Sequence, residues 1–504
     1  MLQAGLNRPA NRARPIGSFF CRRGLELVCS KAARRQPSRH LAATHCHHTI
    51  GPRPGELCPG TLSRRSFVRS GLVGLSSLGL ADLLRIEAQA RTNDYPLTSD
   101  KSLLVLWLWG GPSHMETFDL KPLAPSEYRG EFNPIATNVP GIEISEHLPR
   151  LAKLADKFSL IRSCHHDSPG HVNSTHTMLT GYPGDLVETP PFRPKYPDVW
   201  AVANKLLGPR TADMPPHVVL PFMRYNGAAY LGNNLEPLVI KGDPNEPKFQ
   251  VPNLSARPDD HPQLGRRMKL LEQVDRFRRA ADTSGAMDSL DEFNRRAVSI
   301  LTSDAVRQAF DINQEDAATR DRYGRDTLGQ RCLLARRLVE AGSRVVSIDF
   351  PHVPGQKAFS WDDHASVWNI FTEMKARLPV LDRVVSTMIE DLHERGLSEK
   401  VLFVVMGEMS HTPRLSNFQG QPGREHWGNT MSLLLSGGGL KMGQAIGRTN
   451  HKGDEIVERP VTPGDVLATW YRALGIPLDT HFTDFGGRPT PILPQGEAIS
   501  ELFS

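Results

Sequence analysis

KVLFVVMGEMSHTPRLSNFQGQPGREHWGNTMSLLLSGGG, residues 400–439, carries two apolar strand-like runs separated by a polar loop that holds Glu408, His411, Arg414, Glu425 and His426. Residues 401–406 form a short unbroken run of Val, Leu, Phe and Met that stops at Gly407-Glu408. That is the pattern of a strand covered on both faces in a parallel sheet. Ligands of open α/β sheets bind beyond the carboxyl ends of the strands, where Glu408, His411 and His426 fall. Carboxylate and imidazole gathered at one such edge suit a divalent cation. The plain alternative is a solvated polar loop, since these residues are common on exposed loops.

Outward from this stretch the pattern repeats. Residues 101–109, KSLLVLWLW, read as the first strand of the body and break at Gly110-Gly111-Pro112-Ser113-His114. Glycines after a buried strand let a loop pass close to a ligand, which makes His114, and behind it Asp119, candidates for the same pocket. Residues 144–158 read as an amphipathic helix with Leu148, Leu151 and Leu154 inward, followed by a strand at 159–162. Residues 164–176 then hold four histidines, one aspartate and three hydroxyls in thirteen residues, a density that no core explains. They run into a helical turn ending at Gly181 and Pro183, and a helix start so furnished can bind metal or an oxyanion through side chains and backbone N–H groups.

A third strand is expected at 215–220, then a polar excursion and a helical segment over about 261–342, with Leu270, Leu271, Val274 and Phe277 at helical spacing. We expect that segment to be an inserted all-helical subdomain or cover. Residues 344–350 return to the sheet, and the loop after them carries Trp361-Asp362-Asp363-His364, again carboxylate and imidazole at the ligand edge. A long amphipathic helix is expected over 371–397. Thr462 and Pro463 mark the start of a last helix, 464–474. The expectation is one α/β domain over 92–504, with a mostly parallel sheet sandwiched by helices.

The chain has 504 residues and a formal net charge of +5, but residues 1–91 carry 15 Lys and Arg against 4 Asp and Glu, leaving 45 basic and 51 acidic residues in the body. A mildly acidic body speaks against nucleic acid as a partner. Four of six cysteines lie in the first 60 residues, and Cys164 and Cys332 are too far apart in sequence to decide whether they pair. Residues 1–60, rich in Arg, Pro, His and Cys with no apolar period, read as disordered or as an upstream extension. Residues 61–91 hold Arg64-Arg65, a glycine-rich apolar run and Ala88-Gln89-Ala90, the pattern of a twin-arginine (Tat) export signal. The run is too short to span a bilayer, which needs roughly 20 apolar residues. The expectation is Tat export to the periplasm or beyond, with no membrane span kept afterwards.

Taken together, Gly110-Gly111-Pro112-Ser113-His114, Trp361-Asp362-x-His364, Gly407-Glu408-x-Ser410-x-Thr412-Pro413 and Gly423-Arg424-Glu425-His426-Trp427 resemble the DUF1501 family of exported proteins, related to the alkaline phosphatase and sulfatase superfamily. The resemblance covers about residues 60–504. It implies an alkaline-phosphatase-like core with two divalent cations beyond the sheet, zinc first, with calcium, magnesium or manganese as alternatives, acting on a small anionic phosphate or sulfate ester. By that similarity Asp362, His364 and His426 hold one cation and Glu408 the other. His171 stands in the slot of the nucleophile and becomes a ligand, with Ser174 or Thr175 one helical turn on as replacement hydroxyls. His114, His176 and His411 are further ligand candidates, and Arg414 a donor to substrate oxygens. The absence of a Cys-x-Pro-x-Arg sequence favours phosphate over sulfate. The competing expectation is an envelope protein that kept the fold and binds metal or ligand without catalysis.

Overall fold

The computed structural model describes residues 97–503 except 169, 185–187, 191, 223–224, 226, 252–265, 267–297, 351 and 359. The expected disordered extension, the Tat segment, and Leu270, Leu271, Val274 and Phe277 lie outside the described residues.

Eight strands make the central sheet: β1 (Ser102–Trp107), β2 (Ser159–Cys164), β3 (His217–Leu220), β4 (Leu238–Val239), β5 (Val345–Asp349), β6 (Val401–Met406), β7 (Met431–Gly437) and β8 (Ala445–Ile446). Their spatial order is β8-β2-β7-β6-β1-β5-β3-β4. All neighbours are parallel except β7, which runs antiparallel to both β2 and β6. Every residue of β1 and of β6 is buried, as unbroken apolar strands require.

Alternate residues along these strands feed two cores. Leu104, Leu106, Val346, Ile348, Phe403 and Val405 pack on one face with α3 (Thr327–Ala341) and α4 (Ile370–Glu394). Leu103, Val105, Trp107, Leu402, Val404 and Met406 pack on the other with α1 (His171–Thr180), α2 (Val199–Leu207) and α5 (Pro463–Leu474). The architecture is thus a mixed α/β sandwich with a large, mostly parallel sheet and helices on both faces.

Some expectations are corrected. The stretch 144–158 is a short strand, Glu143–Ser145, and a 3-10 helix, Leu151–Lys157. Pro149 lacks an N–H and disfavours helical backbone at Leu148, so the helix cannot form ahead of it. The last helix of the 261–342 segment, α3, packs on the sheet, with Leu334, Ala335 and Leu338 fully buried. The helix expected at 464–474 begins at Pro463, where Thr462 and Asp465 form a reciprocal capping box. Cys164 and Cys332, left open by the sequence, are both buried and unpaired.

Candidate metal centre

Because β1, β2, β5 and β6 are parallel, their carboxyl ends share one edge, and antiparallel β7 brings its amino end to the same place. Five chain segments therefore meet there: the loops after β1, β2, β5 and β6, and the stretch leading into β7. Two glycines let them close. Gly110 has φ +104°, and a Cβ on it would stand 2.5 Å from Asp362 N. A Cβ on Gly423 would collide with Ala365 N. The loop 361–364 is stitched to its neighbours by Trp361 N donating to Trp109 O (2.8 Å) and Arg424 N donating to Asp363 O (3.0 Å). Beneath it, Asp363 and Arg377 of α4 form an ion pair with both side chains fully buried.

Asp362 stands at the centre of this meeting point. Its Oδ1 lies 2.8 Å from His364 Nε2, 3.1 Å from His426 Nε2 and 3.5 Å from His411 Nε2, while Oδ2 lies 3.3 Å from His171 Nε2. Ligands on a tetrahedral zinc with bonds of about 2.0–2.1 Å are separated by roughly 3.3–3.4 Å, so these hydrogen-bond spacings are also close enough for the same atoms to gather round a cation. The donors form two trios that share one aspartate, His171–Asp362–His426 and Asp362–His364–His411. His411 is fully buried, and apart from its approach to Asp362 neither ring nitrogen has a hydrogen-bond partner among the described residues. A buried imidazole left so costs free energy unless a cation occupies its lone pair. The residues present fit a divalent cation.

The electrostatics agree. Burial works against the charged form of Asp362, but its hydrogen bonds to the four histidines hold the carboxyl far below the usual range. Burial likewise lowers the His171 pKa, and bonds to Asp362 and Glu408 overcome it and lift the group to about 10. The bond to Asp362 lifts His364 to about 9 against burial, with help from Glu425. Burial keeps His411 below its ordinary value.

Beside His364 and His426 opens a cavity of about 400 Å³, lined also by His166, Asp167, Ser168, Glu425, Trp427, Gly428 and Asn429. His166 accepts from Ser168 N at Nδ1 (3.2 Å) and donates from Nε2 to Glu408 O (2.8 Å), so it is spoken for at both nitrogens. Sequence reasoning passes over Ser168, Asp167 and Trp427 as site residues. The first two lie in the His-rich segment it does single out, and Trp427 comes directly after His426.

Of the candidate residues, His171, Asp362, His364, His411 and His426 are brought together. Glu408 lies one step behind them, fully buried, its oxygens taken by Gly110 N, Trp107 Nε1 and His171 Nδ1. His114 bonds Ser410 Oγ at Nδ1 and Gly453 O at Nε2, which leaves no lone pair for a cation. Asp119 accepts from Lys121 and Thr449, away from the cluster. His176 is buried beside Tyr196, with ring centroids 5.9 Å apart, and joins neither trio. Ser174 is buried and donates to Ser168 O (3.0 Å), Thr175 is buried, and neither lines the cavity. Arg414 is exposed and likewise absent from the lining. Two N-terminal N–H groups of α1 are already taken: Val172 N and Asn173 N donate to the Glu188 carboxylate at 3.1 and 3.0 Å.

No curated protein matches the chain. Solved structures similar to it include a sulfatase from Pseudoalteromonas sp., at 12% identity over 77% of this chain and 70% of that one, with a TM-score of 0.34. A phosphonate monoester hydrolase of Agrobacterium radiobacter is similar at 11% identity over 80% and 77%, with a TM-score of 0.34. A protein in the alkaline phosphatase superfamily from Vibrio parahaemolyticus is similar at 9% identity over 76% and 68%, also with a TM-score of 0.34. Residues 100–503 match the family described as protein of unknown function (DUF1501), and the chain belongs to that family.

Proposed function

We propose that this chain is a metal-dependent hydrolase of small phosphate or sulfate esters, exported by the twin-arginine route. The observation that carries the reading is the convergence of His171, His364, His411 and His426 on Asp362, beside a cavity that His364 and His426 line. Divalent cations bound there, zinc first because imidazole suits it, would supply Lewis acidity toward an ester anion and acidify water. Asp362 is common to both trios, with His364, His411 and His426 nearest its Oδ1 and His171 nearest its Oδ2, so its carboxylate would be shared if two cations were held. The cavity wall adds the carboxylates of Asp167 and Glu425, the Trp427 side chain and Asn429, and no Lys or Arg among the described residues lines it. That lining suits an ester whose remainder is uncharged and hydroxyl-bearing. Among the described residues no helix is long and apolar enough to cross a membrane.

A second reading, a metal- or ligand-binding protein without catalysis, is favoured by the burial of Ser174 and its bond to Ser168 O. The test is to strip the protein of metal, restore zinc, manganese, magnesium or calcium singly, and assay aryl phosphate and aryl sulfate esters. Turnover that appears with metal and vanishes with chelator supports the hydrolase. Tight metal binding with no turnover on either ester class supports the second reading instead.

A further inference from the structure

We infer that Glu408 acts as a positioning residue that aims His171 at the metal, not as a ligand itself; this rests on the metal reading above. Glu408 lies just past the end of β6 and is fully buried. Its Oε1 accepts from Gly110 N (2.8 Å) and from His171 Nδ1 (2.8 Å), and its Oε2 accepts from Trp107 Nε1 (3.1 Å). An ionised carboxylate only accepts, so His171 must carry its proton on Nδ1 in this contact. The nitrogen left to give a lone pair to a cation, in place of its own proton, is then Nε2, 3.3 Å from Asp362 Oδ2.

The carboxylate is itself immobile. Trp107 is wedged in the core against Trp200, with ring centroids 6.4 Å apart and nearly perpendicular. Turning Glu408 toward a cation would leave a buried indole N–H and a buried amide unpaired, which is unfavourable. The His171 ring also lies between Glu408 and Asp362, bonded to one by each nitrogen. Trp109 and His426 pack on that ring at centroid distances of 5.3 and 4.5 Å, which leaves its tilt little freedom.

Glu425 plays the same part behind His364, but from a different setting. It bonds His364 Nδ1 and, through Oε1, accepts from Ser416 Oγ (2.9 Å). Its side chain is 52% exposed, whereas that of Glu408 is 0% exposed. Water can replace Glu425 as an acceptor and cannot reach Glu408. The two carboxylates should therefore differ sharply in what their loss does to metal affinity.

The experiment measures zinc affinity of the full chain by competition with a chromogenic chelator, together with X-ray absorption of the zinc-loaded forms. Glu408→Gln is expected to weaken zinc binding by about 10- to 100-fold while the number of atoms bonded to zinc stays the same. Glu425→Gln is expected to weaken it by less than about fivefold, since an exposed hydrogen bond is largely replaced by water. Trp107→Phe guards against misfolding of the Glu408 variant: it keeps the charge, removes one anchor, and is expected to weaken zinc by about two- to fivefold. Unchanged affinity in both Glu408→Gln and Trp107→Phe overturns the inference. So does loss of one oxygen from the zinc shell in Glu408→Gln, which would make Glu408 a ligand. Failure of the unmutated chain to bind zinc or any other divalent cation is a different result, and it removes the metal reading along with this one.

Discussion

His411 and His426 stand directly opposite each other in a two-residue antiparallel ladder that pairs Ser410–His411 with His426–Trp427. Directly opposed residues on such a ladder project to the same side, so two imidazoles from separate motifs reach one carboxylate, Asp362, at 3.5 and 3.1 Å. The ladder thereby links the loop after β6 to the stretch before β7.

Without metal, the cluster should make folding depend on pH. The folded-state pKa values of His171 and His364, about 10 and about 9, lie above the ordinary histidine value of 6.5. Groups raised in this way contribute stability that is complete below about 6.5 and is lost as pH climbs through 9 and 10. The melting temperature of the metal-free protein should fall between pH 7 and pH 10 by more than that of Asp362→Asn, in which the shared acceptor is weakened. Binding of zinc at pH 7 should release about two protons, measurable by calorimetry in buffers of different ionisation enthalpy.

Gly110→Ala should damage the centre without touching a ligand. The new Cβ would stand 2.5 Å from Asp362 N, on a residue whose φ of +104° already disfavours alanine. Backbone strain alone should cost about 1–3 kcal/mol in urea unfolding. Zinc affinity should drop at least about tenfold, because displacement of Asp362 affects both trios.

The ion pair under the loop sets a second limit. Arg377 donates to Asp363 and to Ser360 O, and its guanidinium lies 4.6 Å from the Trp361 ring centre. Arg377→Met would leave Asp363 buried and uncompensated, at a cost of about 3–5 kcal/mol. Adding Asp363→Asn should recover part of that loss, which chemical denaturation of the single and double variants would measure.

The acidic lining should govern which esters are accepted. Asp167 and Glu425 would repel a second negative charge on the substrate beyond the ester itself. Between an unsubstituted aryl phosphate and its carboxylate-bearing analogue, kcat/KM should favour the first by about tenfold at low salt. Asp167→Asn should narrow that ratio, and raised ionic strength should do the same.

Much of this arrangement is legible because the sheet strands are unbroken apolar runs. Residues 102–107 and 401–406 announce themselves by composition, and the loop after each run must lie at the ligand edge. The identity of Asp362, His364 and His426 as cluster members comes from that logic and from the family resemblance. The hidden part depends on pairing across long separations. Nothing in the spacing of His411 and His426 reveals their short ladder, and nothing in Gly407-Glu408 shows that Trp107 and Gly110 claim its carboxylate. Glu188, 15 residues beyond Asn173, fills the helix start that looks open to an anion. A helix over 144–158 is suggested by apolar spacing that hides the effect of Pro149.

Whether Asp362 and its histidines hold metal is settled by locating the metal in the folded protein, by anomalous diffraction at the zinc edge on crystals of the zinc-loaded chain. Density is expected bonded to Asp362 and to Nε2 atoms of His171, His364, His411 or His426, at about 2.0–2.2 Å, and is expected to be lost in an Asp362→Ala/His426→Ala variant that still folds. Zinc-loaded crystals with no anomalous peak at Asp362, or with zinc only at other residues, would contradict the metal reading.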